Sequence, residues 1–76
     1  MLNRIEVLRE LFVQKNLDGC MIFEEKNMLY FTGFSGGSLL LIPKDGESTL
    51  FVYDINFEAA IEEAKNATIY HMKAGE

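Results

Sequence analysis

Two apolar runs separated by four polar residues constrain the fold of this chain more than any other feature. The runs are SLLLIP at 38–43 and STLFVY at 48–53, and the segment between them, KDGE, contains Asp45 followed by Gly46. Asp-Gly between two apolar runs strongly indicates a β-hairpin, because glycine readily adopts the positive φ angles of a tight turn. The sequence therefore predicts two neighbouring strands that pair antiparallel.

A helix is predicted near the start of the chain. Its apolar positions recur one helical turn apart, at Ile5, Leu8 and Phe12. Asn3 and Glu6 have the spacing of a capping box, and Lys15 and Asn16 close the pattern. We therefore expect an amphipathic helix of about three turns, followed by a turn at 17–19.

Further elements are predicted on both sides of the hairpin. CMIF at 20–23 is a continuous apolar run, typical of a short strand covered on both faces, and MLYF at 28–31 suits a single helical turn. After the hairpin, Asp54 is expected to cap a helix that ends at Asn66, and ATIYHM at 67–72 is predicted to be a strand. The apolar face of that helix is predicted to contain Phe57, Ala60, Ile61 and Ala64.

The order of these elements predicts an α/β fold. The strands form a mixed β-sheet that includes the antiparallel hairpin, and the helices pack on that sheet. Because the chain has 76 residues, 49% of them hydrophobic, we expect a single folded domain over 1–76. A domain of this length buries only about 60% of its unfolded surface, so its core is expected to be thin.

Charge and cysteine content narrow the classes of partner. A net charge of -5 with scattered basic residues disfavours nucleic acid, and no apolar run is long enough to cross a membrane. The single Cys20 cannot form an internal disulfide, and no Cys/His cluster suggests a zinc module. We therefore expect a cytoplasmic protein with neither a nucleic-acid partner nor a membrane partner.

The side chains usual in catalysis are nearly absent. Ser35 and Ser38 have only His71 as a possible base, with no third group to orient it. His71 and Cys20 are too few to suggest a metal site, and His71 is interpreted as an edge-strand histidine. The sequence therefore predicts no catalytic residue, metal site or cofactor site in this chain.

The segment YFTGFSGGS at 30–38 is the most unusual part of the sequence. Its glycines, Gly33, Gly36 and Gly37, match neither the dinucleotide-binding pattern nor the P-loop pattern, so they favour a tight structural loop. A small nucleotide-binding domain remains a weaker alternative. The three aromatic residues of this segment either pack under the hairpin or face a partner surface, and the sequence leaves both possibilities open.

The string NMLYFTGFSGGSLLLIPKDGESTLFV at 27–52 resembles the N-terminal domain of the creatinase, prolidase and aminopeptidase P family. The matching positions are Asn27, Tyr30, Phe31, Thr32, Gly33 and Phe34, with Asp45 and Gly46 at the hairpin turn. The resemblance extends over about residues 2–65, most of the chain. Many aminopeptidases of this family have Asp-Gly-Arg-Tyr after the hairpin, where this chain has DINF at 54–57, so Asn56 replaces the arginine. This departure favours a prolidase-like protein over an aminopeptidase P.

The resemblance implies a role in a larger enzyme. In this family a C-terminal catalytic domain of pita-bread fold holds two metal ions, Mn, Co or Zn, and hydrolyses Xaa-Pro peptides. Its ligands are two Asp, one His and two Glu, and none has a counterpart here. By resemblance, the chain is a non-catalytic N-terminal domain that contributes to oligomer contact and to the rim of the substrate channel. Its candidate interface residues are Tyr30, Phe31, Phe34 and Asp54.

The resemblance also gives expectations about the whole protein. The chain is expected to be a fragment that lacks the catalytic domain, because little sequence follows the last predicted strand to cover the sheet. Its expected partners are that domain, a second subunit and a proline-containing peptide. The alternative is a peptidase-like protein-binding module without activity, since such domains in the large subunit of the histone chaperone FACT keep this fold but not its chemistry.

Overall fold

The computed structural model describes residues 4–73 and contains three helices and four strands in that range. In chain order these are α1 (Arg4–Lys15), β1 (Gly19–Ile22), α2 (Glu25–Thr32), β2 (Leu39–Pro43), β3 (Thr49–Tyr53), α3 (Asp54–Glu63) and β4 (Thr68–Met72). The predicted order of elements is confirmed. The capping box predicted at Asn3 lies outside the described residues.

The strands form one mixed sheet in the order β1-β2-β3-β4. β2 pairs antiparallel with both β1 and β3, and Leu40 lies opposite Leu50 in the predicted hairpin. Gly46 has φ 89° at the hairpin turn, a conformation that glycine adopts without steric cost. β4 pairs parallel with β3, and α3 makes the crossover that a parallel pair requires.

The core lies between the helices and one face of the sheet. The central strands contribute Leu40, Ile42, Leu50 and Val52, all fully buried. The helices contribute Ile5, Phe12, Met28 and Ala60 to the same cluster. Burial of apolar surface between these two layers is the main stabilising term for the described domain.

The opposite face of the sheet is apolar and partly exposed. We call it the open face, and its principal residues are Met21, Leu39, Leu41, Phe51, Tyr70 and Met72. The prediction that the first strand is covered on both faces is wrong, because Met21 is 61% exposed and Phe23 is 65% exposed. The physical reason is that β1 is an edge strand and the described helices supply their core residues to the other face only.

Two helices depart from their predicted lengths or starts. α2 has eight residues, two turns rather than one, because it already begins at Glu25. Asp54 does not cap α3, since β3 runs into the helix and Tyr53 holds the cap position without a side-chain hydrogen bond. The Asp54 carboxylate instead contacts His71.

The end of α3 and its apolar face also differ from the prediction. α3 ends at Glu63, and Asn66 lies in the turn before β4 with φ 66°. Ile61 is 58% exposed, whereas Ala60 is fully buried. Because the described structure has only one helical layer on the sheet, α3 buries a narrow stripe, and the neighbouring apolar position faces outward.

Candidate functional site

Thr32 fixes the start of the aromatic and glycine-rich loop. Its buried hydroxyl lies 2.7 Å from the Met28 carbonyl oxygen, to which it donates, and it accepts the Phe34 N–H at 3.2 Å. Gly33 follows with φ 78°, and its N–H donates to the Leu29 carbonyl at 2.8 Å. This left-handed residue closes α2, and glycine suits it because other residues are strained there.

Two further glycines let the loop cross closely over the core. A Cβ atom on Gly37 would lie 2.5 Å from Leu50 Cδ1, and one on Gly36 would lie 2.7 Å from the Phe34 ring. Leu50 is fully buried, so it has little space into which to move. The loop therefore reaches β2 by a path that side chains at these two positions would obstruct.

The second half of the chain holds this loop in place. Asn56 in α3 donates its Nδ2 hydrogen to the Gly36 carbonyl at 3.0 Å. Beyond α3, the Lys65 N–H donates to the Thr32 carbonyl at 2.7 Å, and Asn66 Nδ2 donates to the Phe31 carbonyl at 3.3 Å. Asn56, the position at which this chain departs from the Asp-Gly-Arg-Tyr pattern, therefore anchors the loop.

The three aromatic residues of the loop region have different environments. Phe34 is buried in the core and Phe31 is half-buried against it. Tyr30 is 52% exposed, and its ring meets the Phe31 ring edge to face with centroids 5.0 Å apart. The Arg4 guanidinium lies 4.1 Å from the centre of the Tyr30 ring. Among these three residues, Tyr30 thus presents the most surface to another molecule, and the exposed Asn27 lies in the first turn of the same helix.

Asp54 and His71 form a pair at the carboxyl-terminal ends of the neighbouring strands β3 and β4. Asp54 Oδ1 contacts His71 Nε2, and the imidazole stacks on Phe57 with ring centroids 4.1 Å apart. The side chain of Asp54 is 67% exposed and that of His71 is 35% exposed. His71 lies on an edge strand, as predicted.

The pairing of Asp54 with His71 was not predicted from the sequence. A parallel crossover from β3 through α3 to β4 places the ends of both strands side by side. A sequence prediction of this crossover could therefore have predicted the contact. One carboxylate and one imidazole do not make a metal centre. Within residues 4–73, no three His, Cys, Asp or Glu side chains converge in a way that could hold a metal ion.

The Asp54–His71 pair is expected to contribute little to stability. Since both side chains reach solvent, a double-mutant cycle of Asp54→Asn and His71→Gln should give a coupling free energy of no more than about 1 kcal/mol. Urea unfolding of the four proteins measures it. A coupling free energy well above 2 kcal/mol would show that the pair is shielded from water.

A polar cavity of about 340 Å³ lies between α1 and the hairpin. Arg9 lines it, and its guanidinium donates to the carbonyl oxygens of Pro43, at 3.1 Å, and Gly46. Glu47 on the opposite side accepts a hydrogen bond from the Thr68 hydroxyl at 2.6 Å. These hydrogen bonds connect α1, the hairpin and β4. The polar groups around the cavity therefore hold these elements together.

Comparison with known proteins identifies the family. Residues 4–75 match the sequence model of the creatinase/prolidase N-terminal domain. The chain belongs to this family, and the resemblance recognised in its sequence is confirmed. A comparison with curated proteins found no match. None of the helices in the described range is long and apolar enough to span a membrane.

Solved structures of related proteins share the fold. A proline dipeptidase from Streptococcus pneumoniae is 19% identical, with a TM-score of 0.85 over 99% of this chain and 58% of its own. A prolidase from Pyrococcus furiosus is 31% identical, with a TM-score of 0.81 over 91% of this chain. The chain spans only 22% of that prolidase, so most of the prolidase lies outside the match.

Proposed function

We propose that this chain is the non-catalytic N-terminal domain of an Xaa-Pro dipeptidase or a closely related peptidase. The observation that carries the proposal is the family match over residues 4–75. The 31% identity to the Pyrococcus furiosus prolidase supports the choice of a prolidase-like parent over other members. In this proposal the chain corresponds to the N-terminal segment of the Pyrococcus furiosus prolidase. A larger domain of the same protein performs the hydrolysis.

The metal chemistry of such a peptidase belongs to the partner domain in this proposal. The described side chains do not fit a pair of divalent ions, because no group of three potential ligands converges among residues 4–73. A catalytic domain with two Asp, one His and two Glu would hold Mn, Co or Zn. Sequencing the gene beyond codon 76 tests this directly, and a following domain without these five residues would favour the protein-binding alternative.

Tyr30 and Asp54 are proposed to contact the catalytic domain, a second subunit or the proline-containing peptide. Tyr30 is 52% exposed, with Arg4 and Phe31 fixing its ring. Such a ring offers a large contact area with little remaining freedom to lose on binding. Asp54 adds an exposed carboxylate at the edge of the sheet.

A chimera tests the proposed function. This chain replaces the matched segment of the Pyrococcus furiosus prolidase, and Xaa-Pro dipeptide hydrolysis is measured below the melting temperature of the chain. We expect a higher kcat/KM for the chimera than for the prolidase that lacks this segment. The reason is that, in this proposal, the N-terminal domain completes the rim of the substrate channel and the contact with a second subunit. A folded, metal-loaded chimera no more active than the truncated prolidase would contradict the proposal.

Variants of the chimera locate the contact surface. Tyr30→Ala is expected to raise KM or weaken assembly while the chimera stays folded, because the substitution costs at most about 1–2 kcal/mol of stability. Leu29→Ala is the matched control, because Leu29 is the adjacent residue and is 51% exposed against 52% for Tyr30. Equal effects of both substitutions would mean that Tyr30 has no specific role.

A further inference from the structure

The cavity between α1 and the hairpin is lined by a buried residue whose hydroxyl has no partner. Ser48 is 3% exposed and lines this cavity of about 340 Å³. Among the residues that the structure describes, none makes a hydrogen bond with Ser48 Oγ. Nearly all buried polar groups in folded proteins are hydrogen-bonded, so this exception needs a physical account. A molecule bound in the cavity can supply the missing partner.

Two opposite charges line the same cavity, and within residues 4–73 they do not pair with each other. The Arg9 guanidinium donates from Nε to the Pro43 carbonyl at 3.1 Å and from Nη2 to the Gly46 carbonyl. Glu47 accepts the Thr68 hydroxyl on Oε2 at 2.6 Å. These bonds leave Nη1 of Arg9 and Oε1 of Glu47 available to a ligand.

Both charged groups are already held in place. Two backbone carbonyls of the hairpin fix the guanidinium of Arg9. Glu47 is fixed by Thr68, whose N–H donates to the Ser48 carbonyl at 2.8 Å. Side chains that are ordered before binding lose little freedom when a ligand arrives, so this arrangement favours binding.

The charges of the lining residues select the class of ligand. Two carboxylates, Glu6 and Glu47, line the cavity with Arg9, so they repel an anion such as phosphate. A metal ion is disfavoured by the guanidinium, and no three potential ligands converge in the described range 4–73. A zwitterion satisfies both signs of charge, because a guanidinium binds a carboxylate well and a carboxylate binds an ammonium group.

We propose that this cavity binds a free α-amino acid with an apolar side chain. Its carboxylate accepts hydrogen bonds from Arg9, and its ammonium group donates to Glu47 and to the Ser48 hydroxyl. Its side chain packs against Ile5 and Ala67, the apolar residues of the lining. The volume of about 340 Å³ is near the lower end of the ~300–1,000 Å³ that small-molecule pockets span, which suits so small a ligand.

This site is separate from the surfaces of the proposed peptidase role. Ser48 precedes β3 and Thr68 begins β4, so the cavity lies at the amino-terminal ends of these strands. The Asp54–His71 pair lies at their opposite ends, and Tyr30 does not line the cavity. Because amino-acid binding is tested without a peptidase, this proposal can fail while the chimera succeeds, and the reverse.

Titration of the full 76-residue chain with L-valine, followed by two-dimensional NMR of the backbone amides, tests the site. We expect saturable shifts of amides around the cavity, such as those of Glu47 and Ser48, with a dissociation constant of about 1 mM or below. Valinamide lacks the carboxylate and N-acetyl-valine lacks the ammonium group. Each should therefore bind at least about tenfold more weakly than L-valine.

Substitutions of the lining residues test their separate roles. Glu47→Gln keeps an oxygen for the Thr68 hydroxyl but removes the charge, so it should weaken L-valine binding at least about tenfold without weakening that of N-acetyl-valine. Ser48→Ala should weaken L-valine binding without destabilising the fold, because the hydroxyl it removes has no partner in the described structure. Glu58→Gln is the matched control, since it removes the same charge from an exposed position on α3 outside the cavity.

Several results would overturn the proposal. L-Valine that gives no saturable shifts, or shifts on the open face instead of around the cavity, is one of them. Equal binding of L-valine, valinamide and N-acetyl-valine is another, because the two charges are then not recognised. Tighter binding of glycerol or inorganic phosphate than of L-valine would indicate a polyol or anion site instead. An equal affinity of Glu47→Gln and Glu58→Gln for L-valine would mean that Glu47 does not bind the ammonium group.

Discussion

Phe34→Ala is expected to lower the free energy of unfolding by about 3–5 kcal/mol. Phe34 is 7% exposed and belongs to the core cluster, so alanine leaves a cavity where the ring packed. Phenylalanine-to-alanine changes at such sites cost about 3–5 kcal/mol. A domain of this length has only about 4–11 kcal/mol in total, so the loss removes a large share of its stability. Urea unfolding followed by circular dichroism measures the change.

Tyr30→Ala is the comparison within the same loop region. Tyr30 is 52% exposed, and its removal loses one edge-to-face contact and the Arg4 contact, together about 1–2 kcal/mol at most. The two substitutions thus separate an aromatic residue that fills the core from one that presents surface. A Phe34→Ala protein as stable as Tyr30→Ala would mean that the loop does not pack as described.

Thr32→Val is expected to lower the free energy of unfolding by about 1–3 kcal/mol although the two side chains have nearly the same shape. Thr32 is 1% exposed, and valine leaves the buried Phe34 N–H without its acceptor. The Met28 carbonyl also loses the hydroxyl that donates to it at 2.7 Å. Removing one partner of a buried hydrogen bond leaves the other group desolvated and unpaired, which is the source of the cost.

Thr32→Ser is the control because it keeps the hydroxyl and removes only a methyl group. Hydrogen exchange at the Phe34 amide should accelerate in Thr32→Val and stay slow in Thr32→Ser, since only the valine variant lacks the acceptor. If Thr32→Val matches the wild type in stability and in exchange, the threonine of the Thr-Gly-Phe motif has no structural role through its hydroxyl.

Local sequence patterns determined the elements and their order. The helical spacing of Ile5 and Phe12 placed α1, and the two apolar runs on either side of Asp45 and Gly46 placed the hairpin. These signals are local, because helix and hairpin geometry relate residues only a few positions apart. The family could also be recognised from the string at 27–52, whose matching positions lie in the aromatic and glycine-rich segment and at the hairpin turn.

The tertiary structure alone decided which apolar residues are exposed and which polar residues meet. The sequence shows that Met21 and Ile61 are apolar, but their exposure depends on how many layers of helices pack against the sheet. Likewise, Asp54 and His71 are seventeen residues apart, and only the parallel pairing of β3 with β4 brings them into contact. Such contacts depend on how whole helices and strands are arranged relative to one another. The spacing of residues along one helix or strand does not predict that arrangement.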